Sequence, residues 1–158
     1  MITAIGFSGG FYPDQMLIQT ATLDLAAHCF AVRSNGRIID ATLRHGVAER
    51  SRNDIAAAWI KLIPAVKIMT LTESIQLEMW LHDRIGKKYD KGFVLGWPFF
   101  GRKWQADDEY CCSELIGAGL VAVGALEIPT MHRLTSRNLR RRVEEKSLDY
   151  RINFKGAK

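Results

Sequence analysis

At 158 residues the chain has the length of one ordinary domain and no room for a second large core. Its hydrophobic fraction of 47% and charged fraction of 25% exclude an intrinsically disordered chain. Lys and Arg exceed Asp and Glu by 22 to 17, but the excess sits in "RNLRRR" near the carboxyl end, where Glu144 and Glu145 are spaced to pair with it. That run reads as a solvated helix face, and no nucleic-acid partner is expected.

The amino terminus, "MITAIGFSGGFYPDQ", has neither the basic nor the long apolar region of a secretory signal, and no later stretch has the apolar length of a membrane span. A cytoplasmic protein with no membrane span is the expectation. Three cysteines cannot form an even disulfide framework, and Cys111 and Cys112 would close only a strained ring, so reduced thiols are expected.

No repeat or linker interrupts the chain, which reads as a single domain over 1–158. "TAIGFSG" predicts a short strand or loop, and Pro13 and Asp14 open a predicted first helix near 14–21. "AHCFAVR", "SNG" and "RIIDAT" predict a hairpin turning at Asn35-Gly36, which puts His28 and Asp40 on neighbouring antiparallel strands. "AVKIMTL" at 65–71 is apolar and β-branched enough to predict another strand. "LTESIQLEMWLHDRIG" predicts a helix capped by Thr72 and stopped by Gly86, with Ile75, Met79, Leu77, Trp80 and Leu81 toward the sheet. A glycine-broken aromatic insert follows, in which Trp97, Phe99, Phe100 and Trp104 more simply cap the core than line a groove. "CCSELIGAGLVAVG" predicts a helix buried on every side with Cys112 at its amino end. "LTSRNLRRRVEE" predicts a last helix capped by Thr135 or Ser136, with Arg140/Glu144 and Arg141/Glu145 pairs, and "DYRINF" a closing strand. The fold class is α+β, an antiparallel sheet packed against helices.

A helix amino terminus lowers a thiol pKa and offers N–H groups to an oxyanion, so Cys112 is placed for nucleophilic chemistry. A lone cysteine beside an apolar helix reads as packing. What changes the weight is His28 in "LAAHCFAV" with Asp40 in "RIIDAT" on the paired strand, since a Cys/His site needs a base and a third group to fix the imidazole tautomer. His45 in "RHGV" is the rival for that third role. A zinc site from Cys29, Cys111, Cys112 and His28 lacks the usual ligand spacing, and no cofactor is expected.

These pieces, in order, resemble the circularly permuted papain-like cysteine hydrolases, a branch of the NlpC-type cell-wall amidase superfamily that includes relatives of lecithin retinol acyltransferase. The resemblance lies in "IQTATLDLAAHCFAV", "IIDATLRHGV", "GKKYDKGFVLG", "EYCCSEL" and "MHRLTSRNL", with the histidine ahead of the cysteine as in permuted members. Ala27 stands where the family often has serine, and Asp40 where glutamate is frequent. The resemblance implies a papain-like domain with Cys112 as nucleophile, His28 as base and Asp40 as orienting acid. It leaves Cys111 at a variable place, and Glu114 is expected to support the helix start. It also implies substrate contact by Tyr89 and Asp90, which read equally well as an ordinary turn. The implied activity is cleavage of an amide or peptide bond through a thioester. Acyl transfer or ester cleavage on a lipid, and a non-catalytic binding or structural module, are the alternatives.

Overall fold

Asn35 and Gly36 make the predicted tight turn: Gly36 has φ +80°, its N–H donates to Arg33 O at 3.0 Å, and Arg37 N–H donates to the Asn35 side-chain oxygen at 3.0 Å. The turn joins β2 (His28–Arg33) to β3 (Arg37–Thr42). In the computed structural model that describes residues 1–10, 27–55, 57–90, 109–129 and 134–155, this hairpin is the middle of a five-stranded antiparallel sheet. The other strands are β1 (Ile2–Gly9), β4 (Gly46–Ser51) and β5 (Trp59–Pro64), in the order β4-β3-β2-β1-β5. The predicted helix near 14–21 and the aromatic insert with Trp97, Phe99, Phe100 and Trp104 lie outside the described residues.

Side-chain alternation gives the sheet two different faces. Ile5, Phe7, Cys29, Ala31, Ile39, Ala41, Val47 and Ile63 join the main core with the helices. Ala4, Phe30, Val32 and Ile38 form a smaller cluster on the opposite face, joined by Ile55 and Leu62. Ile2 belongs to the main core because the β1–β2 register shifts between Ile2 and Ala4.

Three helices are described: α1 (Leu71–His82), α2 (Cys112–Ala122) and α3 (Ser136–Lys155). α2 matches its predicted span and is buried on almost every side, with Leu115, Ile116 and Leu120 fully covered. It approaches α1 closely, since a Cβ on Gly119 would lie 2.7 Å from a Leu77 methyl. Among the described residues no helix is long and apolar enough to cross a membrane.

Three expectations fail, each for a local reason. Residues 65–71 are not a strand: β5 ends at Pro64, and Ala65–Lys67 form a 3₁₀ turn that leaves Val66 66% exposed. The cap of α1 is Thr70 rather than Thr72. Thr70 Oγ1 accepts from Glu73 N–H at 3.2 Å while the Glu73 carboxylate accepts from Thr70 N–H at 2.6 Å, a reciprocal pair that Thr72 cannot make. Its inner face is accordingly Ser74, Leu77 and Leu81, with Ile75 and Met79 exposed and Trp80 partly buried against the core. Finally, "DYRINF" is helical, because no glycine or proline interrupts the chain from Ser136 to Lys155 and a helix once nucleated propagates. The Arg141–Glu145 pair forms at 3.5 Å, whereas Glu144 accepts from Lys61 of β5 at 2.7 Å and so ties α3 to the sheet.

Gly46 opens β4 with φ +63°, and a Cβ there would lie 2.3 Å from the backbone oxygen of Lys87. That same oxygen accepts from Val47 N–H at 2.8 Å, so the chain after α1 is laced to the start of β4. Gly46→Ala combines left-handed strain with a collision against main chain. It is expected to lower stability by about 2–4 kcal/mol, read as a fall in the denaturation midpoint at unchanged m-value.

Candidate active site

His28 and Asp40 meet through the hairpin register. Ala31 faces Ile39 and Val32 faces Ile38, a register that sets Phe30 across from Asp40 and puts His28 one diagonal step away on the same face. His28 Nε2 and Asp40 Oδ2 are 2.8 Å apart. The imidazole also stacks on Phe30, with ring centroids 6.1 Å apart at 29°. His45 lies in the β3–β4 turn, where its N–H donates to Thr42 Oγ1 at 3.2 Å. Asp40 therefore takes the place beside the ring that the sequence left open to both.

Asp40 is fully buried, and a second donor completes it. Arg50 of β4 donates from Nε to Oδ1 at 3.0 Å and from Nη2 to Oδ2. Since Asp40 pairs with Ala48 and Ile38 with Arg50, the arginine is one diagonal step to the other side. His28, Asp40 and Arg50 thus cross three adjacent strands on one face. Burial pushes the Asp40 carboxyl up, but the hydrogen bonds from His28 and Arg50 outweigh it and hold the group below its ordinary value.

Cys112 is the first residue of α2 and His28 the first of β2, and the two side chains meet where these elements begin. With Nε2 engaged by Asp40, Nδ1 is the ring nitrogen left for the sulfur. Burial works against a charged ring, but hydrogen bonds to Asp40 and to the Cys112 thiolate raise His28 to about 10. The Cys112 thiol is held well below its ordinary value, first by a hydrogen bond from the Cys29 thiol, then, against burial, by His28 and the Cys29 backbone. Both shifts favour the thiolate form of Cys112 and the imidazolium form of His28. His28 keeps 15% of its side chain exposed while Cys112 is buried, so the ring is the member of the pair that meets solvent.

Two helix starts converge on the sulfur. Glu114 accepts from Cys111 N–H at 3.3 Å and so secures the first turn of α2, the supporting role expected of it. Ser136 Oγ, at the start of α3, lies 3.9 Å from Cys112 Sγ. Thr135 is the α3 cap, accepting from Asn138 N–H at 3.1 Å, and the Ser113 hydroxyl donates to the Leu134 carbonyl, which docks the two helix starts together. Burial pushes the Cys111 and Cys29 thiols well up, with like charge from Glu114 adding at Cys111 and the Cys112 thiolate adding at Cys29.

Tyr89 and Asp90 are both buried, in a segment that runs beside the approach to the cysteines. Tyr110 N–H donates to Lys88 O at 3.0 Å and Asp90 N–H to Tyr110 O at 3.3 Å. Burial raises the Tyr89 phenol, and charge at the three cysteines adds to the shift; the ring belongs to the same core cluster as those cysteines.

Sequence reading missed Arg50, Cys29 and Ser136 as partners of the site. The one available signal for Arg50 is the alternation of "GVAERS" once it is recognised as a strand paired with β3. Ser8 was missed too. It stands opposite His28 in the β1–β2 register, fully buried, and its hydroxyl has no hydrogen-bond partner among the described residues. No protein-family model matches the chain, and no curated protein matches it in sequence.

Iodoacetamide at neutral pH is expected to alkylate Cys112 and spare Cys111 and Cys29, because only the Cys112 pKa is lowered. Peptide mapping by mass spectrometry locates the label. The rate should fall only at a pH well below the ordinary thiol range, as the thiolate takes up a proton.

Proposed function

We propose that the chain is a cysteine hydrolase of the permuted papain-like kind that cleaves an amide or peptide bond, cell-wall peptides being the first class to examine. The observation that carries this reading is the Asp40–His28 hydrogen bond of 2.8 Å, behind an imidazole that also interacts with the thiol at the start of a buried helix. Cys112 and His28 have the roles of nucleophile and base, and Asp40 that of orienting carboxylate.

The chemistry follows from those positions. The Cys112 thiolate adds to the substrate carbonyl, and the oxyanion forms beside the amide N–H groups that open α2, which have no intrahelical acceptor. Collapse of that intermediate breaks the C–N bond, and the His28 imidazolium gives its proton to the departing amine. Neutral His28 next takes a proton from water as the oxygen attacks the thioester carbonyl. The second intermediate releases the carboxylic acid and restores the thiolate and the imidazolium. Asp40 fixes the tautomer throughout, and Tyr89 and Asp90 wall the site next to the sulfur. Access of an alcohol or amine in place of water would turn the same thioester toward acyl transfer.

A screen of peptidoglycan stem peptides, simple amides and lipid esters tests the assignment. Turnover should be abolished in Cys112→Ala and kept in Cys111→Ala. Asp40→Asn should lose on the order of 10²-fold or more in rate while His45→Ala stays close to the parent. Equal losses in the two cysteine variants would remove Cys112 from its role, and cleavage of esters alone would move the activity to lipids.

The pH profile should be bell-shaped. Its acid limb reports protonation of the Cys112 thiolate at its lowered pKa. Its alkaline limb lies near 10, where His28 loses the proton that the leaving amine needs.

A further inference from the structure

We propose that Arg50 is a positioning residue for the nucleophile, acting through Asp40 and His28 to keep Cys112 in its thiolate form. This rests on the hydrolase reading above but assigns a residue that the Cys-His-Asp set does not contain.

The geometry is specific. Asp40 is fully buried, and its oxygens are shared between two donors: Oδ2 takes His28 Nε2 and Arg50 Nη2, while Oδ1 takes Arg50 Nε. The guanidinium fork fits a carboxylate side-on with two parallel bonds, which leaves the carboxylate no freedom to rotate. A carboxylate that His28 alone held could turn about its own bond and tilt the ring away from the sulfur. It would also be a buried charge with one partner, which favours protonation over ionisation. Arg50 removes both escapes. The side chain is 17% exposed and reaches Asp40 from β4, and β4 is set against β3 by six consecutive pairings from Arg37–Ser51 to Thr42–Gly46.

Other groups also bear on the pair. Cys29 of β2 faces Cys112, Tyr89 from the segment before the insert shares its core cluster, Asp90 bears on Tyr89 and Glu114, and Cys111 and Glu114 lie on the turn that opens α2 itself. His28 faces Asp40 and Cys112, and Arg50 is further attracted by Asp54 at the 3₁₀ turn after β4. Changing residue 50 leaves all of these in place. It alters only what stands behind Asp40.

The test needs no substrate. The rate of alkylation of Cys112 by iodoacetamide is followed against pH in the full chain, with mass mapping of the label, for the parent, Arg50→Gln, Arg50→Lys, Asp40→Asn and the Arg50→Gln/Asp40→Asn double variant. Arg50→Gln is expected to move the midpoint up by about one pH unit or more, a roughly tenfold slower reaction on the acid side. Arg50→Lys, which keeps the charge and one donor, should restore most of that shift. In the Asp40→Asn background the Arg50 change should add nothing, since its effect travels through the carboxylate.

A parent midpoint at the ordinary thiol value overturns the hydrolase reading itself. A low parent midpoint that Arg50→Gln leaves in place, or a full Arg50→Gln effect on top of Asp40→Asn, overturns the role of Arg50 alone. Should Arg50→Gln fail to fold, as judged by circular dichroism and thermal melting, the lysine variant decides. A midpoint raised by a few tenths of a pH unit supports the assignment, and an unshifted one overturns it.

Discussion

A carboxylate with no exposed surface sits on the middle strand of a three-strand cluster, and the sheet is arranged around what that carboxylate requires. An ion buried without partners is strongly disfavoured, by several kcal/mol in real proteins. Asp40 finds its partners on both neighbouring strands, His28 on one side and Arg50 on the other. Both partners reach it only while the β2–β3 and β3–β4 registers hold. A slip of one residue in either would turn the histidine or the arginine to the opposite face and strand the charge. The registers, in turn, depend on turns at Gly36 and Gly46 that admit positive φ.

Cys112 is set in place by a different part of the structure. α2 is apolar nearly all round and lies in the core, so its position is fixed by packing, and its first residue is delivered to the rim where β2 begins. Cys112 is then acidified by groups from β2, Cys29 and His28, while its neighbour Cys111, one step round the helix cap, sits in surroundings that suppress ionisation. Two adjacent cysteines differ because a helix start changes environment within one residue. Like identity in sequence says nothing of like chemistry here.

Much of this was legible in the sequence where one local signal decides the outcome. Asn35-Gly36 between β-rich runs fixes a hairpin, and the hairpin brings His28 and Asp40 together. The apolar run after Ser113 predicts a buried helix, and Cys112 lies at its start. The readings failed where two signals compete or where the partner is distant. Thr70 and Thr72 both precede helix formers, and only the reciprocal Glu73 pairing separates them. Residues 65–71 have strand composition, but Pro64 ends the ladder before they begin. Arg50 carries no signal of its own in the sequence, because β4 has a single fully buried apolar residue, Val47, to announce it as a strand. Cys29 and Ser136 come to the sulfur by tertiary packing, which leaves no mark at short range.

The five described strands come from residues 2–64, and Cys112 lies well beyond them. During synthesis the amino-terminal part of a chain emerges first, and the short-range antiparallel pairings of a hairpin form within microseconds. The sheet with its Asp40 cluster can therefore assemble while the residue at 112 is still unmade. When that cysteine appears it is an ordinary thiol with a pKa near 8.5, mostly protonated and slow to react. Its pKa falls only when α2 docks beside Cys29 and His28 of β2. The chain order thus lets the Asp40 cluster form before the cysteine it serves to acidify has been made.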